Sequence, residues 1–184
     1  MNAFATDVAD SIRQTRKEWG WYLALGILLI AVGAYAIYSG SAATIASVVV
    51  LGALLIIGGI AQLIAMFQAR GAGHVILLLL AGALEIVVGF MLIQHPDAGA
   101  LTVTLLIAAL FVFSGIYTFV MANYLQFPQY GWVAFSGIVT AALGVLLWAQ
   151  FPTSAEWFIG FAVGLNFIIT GIAWSVFAFK LKPA

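Results

Sequence analysis

The sequence predicts an all-α integral membrane protein: six transmembrane helices, arranged as three repeated helical hairpins that form pseudo-threefold parallel repeats. Three observations carry that prediction. The 184 residues are 65% hydrophobic and only 7% charged, whereas soluble domains carry about 25% charged residues, so this chain cannot present a water-facing surface of ordinary polarity. At ~20 residues per spanning helix, six spans and short loops fill the length, and no soluble domain of any size fits beside them. Finally, a glycine pattern is written three times with a period of 55 or 56 residues, which marks an internal repeat.

The repeat is carried by paired glycines seven residues apart: Gly26 and Gly33 in LGILLIAVG, Gly82 and Gly89 in LAGALEIVVG, Gly137 and Gly144 in SGIVTAALG. A later glycine follows in each unit, Gly59, Gly115 and Gly171, preceded by a small residue (Gly58, Ser114, Thr170) and followed by isoleucine. The turns recur as well. Gly40, Pro96 and Pro152 stand 56 residues apart, and Ser41, Asp97 and Thr153 follow them. Proline stops one helix and a short polar side chain can cap the next. Two spans per unit is an even number, so all three units point the same way across the membrane, a parallel repeat rather than an inverted one.

Residues 1–18 are the polar segment. Phe4, Val8 and Ile12 recur at helical spacing among Asp7, Asp10, Arg13, Gln14 and Lys17, which suggests a cytoplasmic amphipathic helix on the membrane surface; a frayed terminus bearing a basic cluster is the alternative. The first hairpin unit is 19–70, with spans at Trp19 to Tyr38 and Ala43 to Gln68. Ala34-Tyr35-Ala36 mimics a signal-peptide cleavage site, but the stretch is the first half of a repeat and is read as a span. The second unit is 74–126, with spans at Val75 to Gln94 and Gly99 to Asn123, after a polar loop from Arg70 to His74. The third is 130–180, with spans at Gly131 to Gln150 and Ala155 to Phe179.

Charge sets the expected orientation. All six Lys and Arg (Arg13, Arg16, Lys17, Arg70, Lys180, Lys182) fall on the side of the termini and the loop after the second span. The three opposite turns hold none. By the positive-inside rule both termini are cytoplasmic. Five of the six tryptophans fall near predicted helix ends, as an interfacial aromatic belt requires.

Seven residues turn a helix through two turns less about 20°, so each glycine pair lies on one face. Between helices in lipid there is little hydrophobic force, and close backbone contact must hold them together. The nine glycines Gly26, Gly33, Gly59, Gly82, Gly89, Gly115, Gly137, Gly144 and Gly171 are therefore read as helix-packing positions, within each hairpin and between repeats. A dimerisation face or a sliding surface is the functional alternative.

Glu85 is the formal charge well inside a span. It shares a face with Gly82 and Gly89, and its repeat partners are Leu29 and Thr140. A carboxylate at that depth without a partner costs at least a few kcal/mol, so it is paired or protonated. Thr140, Tyr117 or a backbone carbonyl is the expected hydrogen-bond partner, and the site is either a polar lock between helices or a proton-sensitive, substrate-facing group. Gln62, three residues after Gly59, lies on that glycine seam. Asn166, deep in the sixth span and far around the helix from the nearer glycines, faces an axial cavity or a partner chain, or makes an interhelical hydrogen bond. His95 and Asp97 flank Pro96 as a candidate pH-responsive outer turn, with a plain solvated turn as the alternative.

Several chemistries are set aside. Ser114-Gly115 and Ser136-Gly137 lack the first glycine of a G-x-S-G protease elbow. Two separated histidines and no cysteine argue against a metal or haem centre, and there is no phosphate loop. The expectation is a non-enzymatic protein with no cofactor. Its partners are the lipid bilayer and either further copies or a larger membrane complex. A formal net charge of zero gives no general pull toward nucleic acid.

The recurring segments, LGILLIAVG with GGI, LAGALEIVVG with HPDAG and SGI, and SGIVTAALG with FPTSA and TGI, resemble those of the HdeD family of bacterial acid-resistance membrane proteins, over roughly residues 19 to 180. Repeat one departs in having Ser39-Gly40 where the others have proline. The resemblance implies an inner-membrane location and a role in surviving acid or general stress, and it supplies no catalytic residues. A small channel or transporter using Glu85 or the axis between repeats, and an accessory subunit of a larger membrane complex, are the competing readings.

Overall fold

The computed structural model describes residues 19–69, 71–125 and 129–181. The expected amphipathic segment 1–18 and the Arg70 position lie outside them. The described chain is all helical: α1 (Trp19–Tyr38), α2 (Gly40–Ala65, extended by a 3-10 turn over Met66–Gln68), α3 (Ala72–Gln94), α4 (Pro96–Leu125), α5 (Tyr130–Ala149) and α6 (Thr153–Leu181). All six are long and apolar enough to cross a membrane.

Even-numbered helices begin two or three residues earlier than the sequence suggests. Proline is tolerated at the first helical position, where its missing N–H would have no partner anyway. Pro96 therefore opens α4, and Gly40 takes the same place in α2. Ser41 and Asp97 consequently sit inside the first turn and are not caps. His74, expected in a loop, lies in the first turn of α3. Gly71 precedes α3 with a φ of 97°, a conformation that glycine adopts without steric cost. At the α5–α6 turn the buried Ser154 hydroxyl donates to the Leu147 carbonyl oxygen at 2.8 Å and ties the start of α6 to the end of α5.

Two compact units divide the chain: Gly40–Ile159, holding α2 to α5 and the start of α6, and a second made of α1 with α6 from residue 160 onward. In the first unit α2 packs along α3 and α4 along α5, whereas α3 and α4, although joined by a tight turn, touch far less. This corrects the expectation of glycine packing inside that hairpin. The glycine seams join neighbouring repeats, as the other half of that expectation has it.

The seams share one construction. A Cβ on Gly59 would lie 2.6 Å from the Gly82 carbonyl oxygen, and one on Gly82 would lie 2.8 Å from that of Gly59. Gly52 and Gly89 face each other in the same way one crossing further along. Between α4 and α5 the facing pairs are Gly115 with Gly137, and Ala108 with Gly144. Within the second unit Gly171 faces Gly26 and Gly164 faces Gly33. The numbers rise on one helix as they fall on the other, so each pair is antiparallel. The α1–α6 pair is further fastened by Tyr22 stacked on Trp174, ring centroids 5.5 Å apart and 3° from parallel.

Candidate functional site

Two places in the unit Gly40–Ile159 gather polar groups inside an apolar scaffold. The first is the α2–α3 seam. Gln62 Nε2 donates to Glu85 Oε1 at 2.6 Å, and a Cβ on Gly58 would sit 3.1 Å from Glu85 Oε2. The glycine surface of α2 thus makes room for the carboxyl, and Gln62, one turn further along α2, supplies the donor. Both side chains are half-buried.

This arrangement corrects the expected partner. Thr140 donates to the Ser136 carbonyl oxygen of its own helix at 2.8 Å, and Tyr117 is largely exposed. The repeat register that aligned Glu85 with Thr140 identifies equivalent positions, not touching ones. Because the seam joins α3 to α2, the polar side chain that reaches Glu85 comes from the preceding repeat.

The second place is a cavity of about 410 Å³ where α2, α4 and α6 begin. Ser41 and Thr44 line it from α2, Asp97 and Leu101 from α4, Pro152 and Glu156 from the last turn and α6. The same residue positions recur around it: Ser41 and Asp97 are equivalent by the 56-residue period, as are Thr44 and Glu156. In each helix these two positions are three residues apart and so share a face. The cavity is therefore walled by the first turn of each repeat's second helix. Three helix N-termini, each a partial positive pole, are directed there, and the carboxylates of Asp97 and Glu156 in first turns complement them. Deeper on α4, the Thr104 hydroxyl is buried and has no hydrogen-bond partner among the described residues.

The outer turn splits. Asp97 lines the cavity, whereas His95 caps the end of α3, its backbone N–H donating to the Met91 carbonyl oxygen at 3.0 Å. The acidic partner of Asp97 in the cavity is Glu156, not His95. The signal for Glu156 in the sequence is its alignment with Thr44, two repeat periods away. Asn166 is exposed on α6, outside both places. The packing glycines Gly26, Gly33, Gly59, Gly82, Gly89, Gly115, Gly137, Gly144 and Gly171 are all buried in seams.

A family model described as a short repeat of unknown function (DUF308) matches residues 24–94 and again residues 80–149. The two matches begin 56 residues apart (24 and 80), the period of the glycine pattern. Each runs through three helices, so the matched unit includes a seam between repeats: α2–α3 in the first, α4–α5 in the second. No curated protein and no solved structure matches the chain.

Proposed function

Since the chain belongs to the DUF308 repeat family of membrane proteins, a family that includes HdeD-like proteins, we propose that it is a non-enzymatic bacterial inner-membrane protein of the HdeD type that supports survival of acid or general stress. The observation that carries this reading is the recurrence of the family repeat at the chain's own period. The in-span carboxyl fits it: Glu85 is engaged by Gln62 across a helix seam, as a structural lock would be. A strain lacking the gene should survive exposure to low pH less well than its parent, and the intact gene supplied in trans should restore survival. Equal survival of deletion and parent strains in acid and in other stresses would remove the proposal.

The three repeats form a pseudo-threefold set about an axis along the membrane normal. The equivalent positions from all three that surround the cavity support this. Both termini and the Arg70 segment lie in the cytoplasm, while Asp97 and Glu156 face the periplasm. The partition of six Lys and Arg against none supports that orientation. Ala72 and Ala98 are exposed at opposite ends of this cysteine-free protein. In intact spheroplasts an impermeant thiol reagent should label Ala98→Cys and spare Ala72→Cys. The reverse pattern would invert the topology.

A further inference from the structure

The outward face of α6 differs in kind from those of α2 and α4. Ala162, Asn166, Ile169, Ala173 and Val176 are all exposed, and at ~100° per residue they fall within a band of about 80°. Gly164 and Gly171, on which α1 packs, lie roughly 140° to 160° around the helix from Asn166. The internal repeat supplies the comparison. The equivalent positions are Val50, Leu54, Ile57, Ala61 and Ile64 on α2, and Leu106, Leu110, Phe113, Tyr117 and Val120 on α4. Leu54 is 59% exposed and Leu110 64%, as suits side chains that face lipid tails. On α6 alone this position is an amide, near the midpoint of Thr153–Leu181.

The Asn166 side chain has no hydrogen-bond partner among the described residues. In hydrocarbon there is no water to take its place, and an amide left unpaired is costly. We propose that Asn166 is the centre of a homodimer contact, in which α6 of one copy packs in parallel against α6 of a second about a two-fold axis along the membrane normal. The occupant is a second copy because the amide is self-complementary. It carries donors and an acceptor on one side chain, and a two-fold axis lets each Asn166 donate to the carbonyl oxygen of the other, satisfying both with one substitution. Ala162 and Ala173, small where α2 has Val50 and α4 has Leu106 and Tyr117, allow the backbones to approach on either side of the amide.

In a parallel two-fold pair each residue of the stripe faces its own copy. The full-length protein carrying Ala173→Cys, oxidised in native membranes, should therefore run as a disulfide-linked dimer without reductant. Tyr117→Cys, the equivalent position on α4, should remain monomeric. Adding Asn166→Leu, the residue found in both sister repeats, should reduce the Ala173→Cys dimer at least tenfold while leaving thermal unfolding of the protein in detergent unchanged. Asn166→Gln, which keeps a self-complementary amide, should retain the dimer. A monomeric Ala173→Cys protein would overturn the inference. So would equal cross-linking of Tyr117→Cys, a dimer indifferent to Asn166→Leu, or a disulfide to a different protein in place of the dimer.

Discussion

Gly115→Ala should destabilise the protein by roughly 1–3 kcal/mol, the usual cost of forcing extra volume into a closed contact. The added methyl would press on the backbone nitrogen of Ala141, lie 2.6 Å from the Gly137 carbonyl oxygen and 2.8 Å from the Ala141 Cα. All three are backbone atoms, so no rotamer change relieves the clash and α4 must move away from α5. That separation also loosens the Ala108–Gly144 crossing on the same pair. Gly73→Ala and Gly131→Ala make the internal comparison, since nothing lies within 4 Å of a Cβ at either. Those two should be neutral or gain a few tenths of a kcal/mol, because alanine favours helix over glycine. Thermal unfolding of the three variants in one detergent decides the matter. Equal midpoints for Gly115→Ala and Gly73→Ala would mean that the seam is not closed.

Much of the architecture is legible in the sequence because bilayer thickness and backbone satisfaction leave few choices. A polar backbone in hydrocarbon must close its hydrogen bonds within a helix, so composition and length dictate six helices. The period of 56 places the turns. Which helix packs on which is less legible. The spacing predicts glycine packing both within each hairpin and between repeats, yet a tight turn such as that at Pro96 brings two helix ends together without fixing which faces meet. The decisive signal was a second seven-residue spacing, Gly52 to Gly59, Ala108 to Gly115 and Gly164 to Gly171. Each matches the Gly-x6-Gly of the adjacent seam. Ala108, standing where the other two repeats have glycine, disguises the pattern in α4. Once both helices of a seam carry the same spacing, an antiparallel pairing of the two stripes follows.

The polar groups were found as residues but not as contacts. Glu85 and Gln62 were both assigned to glycine seams by their offsets from Gly82 and Gly59. They meet because those two seams are one. The cavity is hard to read from the sequence because its acids occupy different positions in the repeat, Asp97 one turn ahead of the place that Glu156 holds. Single-residue alignment separates them, and only the shared helix face unites them.

The largest functional consequence attaches to Glu85. As a lock, its carboxyl needs to accept one hydrogen bond from Gln62, and Glu85→Gln preserves length, shape and an acceptor oxygen. That variant should match the parent in thermal stability and in acid survival. Glu85→Leu leaves the Gln62 amide in an apolar seam without its partner, and Gln62→Leu does the same to the Glu85 carboxyl. Each should cost roughly 1–3 kcal/mol, the penalty of stranding a polar group in the half-buried, apolar seam. A Glu85→Gln protein that is stable but fails to protect cells would instead assign Glu85 to proton exchange.

Whether Gln62 and Glu85 act as one element across the α2–α3 seam is measured directly by a double-mutant cycle on thermal unfolding in detergent. Replacing both partners by apolar groups of similar volume removes the stranded group along with the bond, so it costs far less than removing either one. Coupled residues depart from additivity by about 0.5–3 kcal/mol. The prediction is that Gln62→Leu with Glu85→Leu is more stable than either single variant. A double variant whose loss equals the sum of the two single losses would show that the pair does not hold the seam.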